Sequence, residues 1–156
     1  MRSWRVCCCA LLVGMIGLSA CSKKNVNQQP PLPKDFSLMF GEGGGITGVW
    51  QGHTIQADGT VLAWQGKTAG EAPQPAGKLS SKQMKSLWQQ VHAANFFTAT
   101  ENDNGNLTTF MRVTANQQTH EASWTPQLGA LASKNSSLQQ LYKICRETTE
   151  KAAKKH

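Results

Sequence analysis

Residues 6–17 form an apolar run that is preceded by Arg2 and Arg5 and followed by the small residues Ser19 and Ala20, and this stretch decides how much chain is left to fold. A charged start, an apolar middle and a small-residue end is the layout of a secretory signal, which export removes. About a dozen apolar residues fall short of the roughly 20 that a spanning helix needs, and Lys23 and Lys24 follow at once. Residues 1–20 are therefore expected to leave, and the fold must be sought downstream. A chain of 156 residues suits one compact domain with accessory sequence. Its mean hydropathy of −0.41 argues against a bundle of membrane helices, while a 39% hydrophobic content with five Trp and five Phe argues against full disorder.

The signal closes on Leu18-Ser19-Ala20-Cys21, an apolar residue, two small residues and a cysteine. This resembles the lipobox of bacterial lipoproteins. The resemblance implies cleavage between Ala20 and Cys21, a diacylglyceryl thioether on Cys21 and acylation of the new amino group. Several acyl chains hold a protein at a bilayer essentially permanently, since each buried methylene contributes about 0.8 kcal/mol. The mature chain would be anchored in the cell envelope rather than spanning it. Ser22, in place of Asp, implies the outer membrane, with the domain on its periplasmic face. The lipid on Cys21 is the covalent group expected; no cofactor is.

Processing also settles the cysteines. Cys7, Cys8 and Cys9 leave with the signal and the sulfur of Cys21 becomes a thioether, so Cys145 remains the one thiol and no internal disulfide can form. Cys145 shares a helical face with Leu138, Leu141 and Tyr142 and is expected to pack as a small apolar residue. The formal charge of +7 falls to +5 once Arg2 and Arg5 are gone, and the surplus lies at the two ends, among Lys23 and Lys24 and among Lys151, Lys154 and Lys155. The balanced middle gives no basic stripe for nucleic acid.

Residues 21–35 are polar and then proline-rich, with Pro30, Pro31 and Pro33, a composition that reads as a tether. The globular domain is expected over 36–148, with 149–156 a basic tail or helix end. Strands are expected at 36–40, 49–56, 60–65, 107–114 and 119–124, with a tight turn at Asp58-Gly59 and another at Asn116-Gln117. Residues 67–78 carry Gly70, Pro73, Pro75 and Gly77 and read as a loop. Ser80 and Gln83 make a capping box, and Met84, Leu87, Trp88 and Val91 recur at helical spacing behind it. A last helix begins at Ser136 or Ser137. The order of strands, helix, strands, helix implies an α+β fold, a mainly antiparallel sheet of about five strands with two helices packed on one face.

Chemistry is hard to find. Gly43, Gly45 and Gly48 match the dinucleotide fingerprint in spacing alone, because a strand rather than a helix follows them. His53, His92, His120 and His156 lack metal-site spacing, so no metal is expected. His53 and His120 fall on strands with Glu121 close by, which defines an alternative reading as an envelope hydrolase with a sheet-borne acid and base. No catalytic residue is assigned. Most of Trp50, Trp64, Trp88, Phe96, Phe97, Phe110 and Trp124 are expected in the core. Phe110 falls opposite the apolar set of its strand and Trp50 lies near the glycine run, so one or both are expected to be exposed.

Residues 36–143 also resemble the emfourin-like proteins, small bacterial domains whose known members inhibit thermolysin-like metallopeptidases. The likeness rests on Gly43-Gly44-Gly45-Ile46-Thr47-Gly48 after a first strand, Leu79-Ser80 opening a helix that closes at Ala94-Asn95-Phe96-Phe97, the strands through Thr119-His120-Glu121, and residues 138–142. It implies a peptidase as partner and identifies no individual inhibitory residue. The anchor, the tether and loop 67–78 are additions to that layout. Taken together, the sequence points to a non-enzymatic lipoprotein that binds a protein or peptide partner, with Gly43, Gly44, Gly45, Gly48 and Trp50 as its contact surface. A structural part in an envelope assembly is the further alternative.

Overall fold

The computed structural model describes residues 30–103, 105–126 and 136–154. The signal segment, Ala20, Cys21 and the first part of the tether lie outside the described residues. Six antiparallel strands, β1 (Ser37–Gly44), β2 (Val49–Ile55), β3 (Thr60–Gly66), β4 (Gln74–Lys78), β5 (Leu107–Ala115) and β6 (Gln118–Trp124), form one sheet in the order β4-β3-β2-β1-β5-β6. Two helices, α1 (Ser81–Ala93) and α2 (Ser136–Ala153), cover one face. The expected α+β class is the observed one.

Register explains which residues the helices cover. Leu38 pairs with Ile55 and Val113, and Phe40 with His53 and Met111, so these side chains share a face. Val61, Ala122 and Trp124 join them from the flanking strands. Against this face α1 buries Met84, Leu87, Trp88 and Val91, and α2 buries Leu138, Leu141, Cys145 and Ala152. Thr149 is also fully buried, with its hydroxyl donating to the Cys145 carbonyl at 3.1 Å, which satisfies the polar atom inside the helix. The capping box at Ser80 forms as the spacing requires, with Gln83 N–H donating to Ser80 Oγ and Ser80 N–H to Gln83 Oε1.

The sixth strand is β4, inside the segment that reads as a loop. Pro75 is tolerated because β4 is an edge strand, where one missing N–H leaves no partner short, and a bulge opposite Val61 and Leu62 accommodates the irregular run. Gly77, at φ 150°, lets α2 approach: a Cβ there would lie 2.9 Å from the Ala152 carbonyl carbon. The β2–β3 turn is wider than expected. Gly59 alone takes positive φ, at 86°, and Gly59 N–H donates to the Gln56 carbonyl at 2.9 Å, which makes a three-residue loop with a bulge. Asn116 and Gln117 both take positive φ, as a two-residue turn demands, and the Asp35 carboxylate accepts both of their N–H groups at 2.8 and 2.6 Å. Residues 30–35 thus lie on the domain, with Trp88 Nε1 donating to the Pro30 carbonyl at 2.9 Å and Leu32 packed on the core.

Candidate functional site

Among the described residues no helix covers the second face of the sheet, and the glycines of β1 and β2 explain what lies there instead. Alternation sends Gly41, Gly43 and Gly52 to this face, together with Trp50, Trp64 and Phe110. A Cβ at Gly41 or Gly52 would stand 2.6 Å from the Trp64 ring, and one at Gly43 would meet the Trp50 ring at several atoms. The absent side chains make the floor on which two indoles lie. Trp64 and Phe110 are tilted at 6.0 Å between centroids, and Trp50 meets Phe110 edge to face at 5.7 Å. Phe110 lies opposite the apolar set of its strand, as expected, but is only 4% exposed. Of the two rings expected to include an exposed one, only Trp50, half-buried at the margin of the cluster, reaches solvent appreciably.

Beyond the rings, Arg112 Nε and Glu121 Oε2 form an ion pair at 2.6 Å, each side chain about half in solvent. The β3–β4 connection closes the other side. Glu71 accepts the N–H groups of Lys67 and Thr68 at 2.6 and 3.0 Å, which holds its carboxyl below the ordinary value, and Lys67 Nζ donates to the Thr47 carbonyl at 3.0 Å. Trp50, Lys67, Ala69, Phe110, Arg112 and Glu121 bound a groove of about 290 Å³.

At the end of this groove β1 turns into β2. Gly43 and Gly44 belong to β1, not to a loop, because Gly43 pairs with both Trp50 and Thr108. Gly45 and Gly48, at φ 67° and 59°, make the turn, and Gly48 N–H donates to the Gly45 carbonyl at 3.2 Å. Ile46 stands at its tip with 104% exposure, and Leu107, paired with Gly44, is 45% exposed. Ile46, Leu107 and Trp50 thus gather at one end of the sheet. Ile46 inside a glycine run was the sequence signal for this tip; Leu107, read as part of an apolar alternation, carried none.

His53 and His120 do not converge, and His156 lies outside the described residues. His120 faces the helix-covered side, where Nε2 lies 2.9 Å from the Ala99 carbonyl and the ring packs edge to face on Phe96. Glu121, the next residue on the strand, projects from the opposite face to Arg112. His53 is on β2, three strands from β6, or about 14 Å at the usual spacing. It stacks on Phe40 in a cleft of about 520 Å³ that Glu42, Gln51, Gln65, Tyr142 and Arg146 also line. Burial lowers its pKa, and burial likewise raises the Tyr142 hydroxyl to about 12. Among the described residues no group of three or more His, Cys, Asp or Glu is placed to hold a metal ion, and no helix is long and apolar enough to cross a membrane. Comparison with models of protein families gives no match to this chain, and neither does comparison with curated proteins.

Proposed function

We propose that the protein is a bacterial envelope lipoprotein, held at the outer membrane by acylated Cys21, whose α+β domain binds a protein or peptide partner without catalysing a reaction. The observation that carries the reading is the apolar end of the sheet where β1 turns into β2. A fully exposed Ile46 next to half-buried Trp50 and exposed Leu107 offers an anchor beside a groove, the arrangement in which a few central side chains supply most of an interface's binding energy. Gly43 and Gly44 serve this surface indirectly, the first as the floor under Trp50, and Gly45 and Gly48 hold Ile46 outward. The separation of His53, His120 and Glu121 supports a binder over a hydrolase. In the narrower form suggested by the resemblance, the partner is a thermolysin-like metallopeptidase.

Two experiments test this. The form beginning at Ser22 is titrated against such peptidases: dose-dependent loss of proteolysis that Ile46→Asp weakens at least tenfold supports the inhibitor, and no loss at any ratio removes it. Capture of envelope proteins by the same domain tests the broader reading. Ile46→Asp and Trp50→Ala should abolish specific capture, and capture unchanged in both variants would remove this surface.

A further inference from the structure

The place where the chain reaches the domain is set by three contacts. Trp88 holds Pro30, Leu32 packs on the core and Asp35 caps the turn at Asn116 and Gln117. All three lie at the end of the sheet where β1 begins. The Ile46 turn lies at the other end, eight strand residues away, or roughly 23 Å along β1. Helix α1 crosses the near end: Met84 lies beside Gly59 of the β2–β3 turn, Trp88 meets Phe36 edge to face at 5.4 Å, and past its C-terminus Phe96 packs on His120 of β6. The outward side of α1 presents Lys82, Lys85, Ser86, Gln89 and His92 to solvent. The helix contains no acidic residue, and exposed Lys34 lies on the strap beside it. Asp35, bonded to backbone N–H groups, and Asp58, paired with Lys78 at 2.9 Å, keep their negative charge, and Lys34, Lys78, Lys82 and Lys85 outnumber them.

The geometry points to the outer side of α1 as a membrane-facing surface that rests on anionic headgroups and aims the Ile46–Trp50 end away from the bilayer. This rests on the lipid anchor proposed above. Eight residues separate Cys21 from Pro30. Fully extended they reach about 30 Å, more than the roughly 23 Å between the two ends of the sheet. The tether therefore brings either end within reach of the bilayer, and the charge of the α1 face selects which one rests there. A helix face with cations alone is attracted to an anionic surface within a Debye length of about 8 Å, and the tether holds it within range of repeated encounters. The consequence for function is directional. The partner-binding tip is presented to the periplasm when the α1 face rests on the bilayer.

The test uses the full lipidated protein in vesicles of phosphatidylcholine with 30% phosphatidylglycerol. Cys145 is buried, so one added surface cysteine can be labelled selectively. A fluorophore is placed through Ser86→Cys or Thr47→Cys, and the vesicles carry a headgroup-linked quencher. Quenching at position 86 at least threefold stronger than at 47, reduced to parity by Lys82→Glu with Lys85→Glu or by pure phosphatidylcholine, is the expected result. Equal quenching at both positions on anchored protein would overturn the orientation. Label at 86 left unquenched would overturn it too. Protein that washes off the vesicles in salt would instead remove the anchor, and the orientation with it.

Discussion

Replacing Gly43 by Ala should change sign with its neighbour. The strand conformation at Gly43 suits any residue, and the atoms nearest a new Cβ all belong to the Trp50 ring. In the natural sequence the methyl group must dislodge the indole. That forfeits the edge-to-face pair with Phe110, about 1 kcal/mol, and part of the apolar burial of a half-exposed ring, about 1 kcal/mol more. Against this stands the gain from replacing glycine in a strand, roughly 0.5–1 kcal/mol. The net effect is destabilisation by about 1 kcal/mol. In a Trp50→Ala background the obstacle is gone, and Gly43→Ala should stabilise by roughly 0.5–1 kcal/mol. Urea unfolding of the four proteins of the cycle, followed by circular dichroism so that loss of a fluorophore does not matter, measures the coupling at about 2 kcal/mol. The same sign and size of effect in both backgrounds would refute the claim that Gly43 is there to seat Trp50.

Other consequences are simpler to check. Cys145 is fully buried and burial pushes its thiol well above the ordinary value, so a thiol reagent at pH 7.5 should leave the folded protein unmodified and react only in step with unfolding. Asp35 and Asp58 have carboxyls lowered by hydrogen bonds made in the fold, to backbone N–H groups and to Lys78 respectively. Their folded pKa values lie below the unfolded ones, so the stability they add is complete above about pH 4 and is lost as pH falls through the folded values. Urea midpoints recorded from pH 5 to pH 2 should fall, and Asp35→Asn with Asp58→Asn should flatten that fall. Trp88→Phe keeps the packing and removes the bond to Pro30; it should cost about 1 kcal/mol. Hydrogen exchange should then quicken at the Asn116 and Gln117 amides that Asp35 caps and at the Phe36 amide bonded to Pro33, and unchanged protection there would contradict the strap.

Local signals carried most of the architecture. The capping box at Ser80, the helical spacing of Met84, Leu87, Trp88 and Val91, and the alternation along β5 each need only neighbouring residues to be read. Edge strand β4 was illegible because Pro75 and Gly77 are breakers by composition, and only the edge position and the close approach of α2 make them suitable. The open face was half legible. Alternation alone places Phe110 opposite the helices and puts His120 and Glu121 on opposite sides, but the seat of Trp64 over Gly41 and Gly52 depends on register between strands, which no single segment encodes. Gly41 and Gly43 therefore fall outside the expected strand 36–40, although they belong to β1 and serve with Gly52 as the floor.

The measurement that bears most directly on an anchored, outward-facing binder is site-specific photocrosslinking in intact cells, with a photoreactive amino acid at position 46 or at position 86. The account predicts a discrete protein adduct from position 46 and lipid adducts from position 86. A protein adduct from 86 with none from 46 would contradict it.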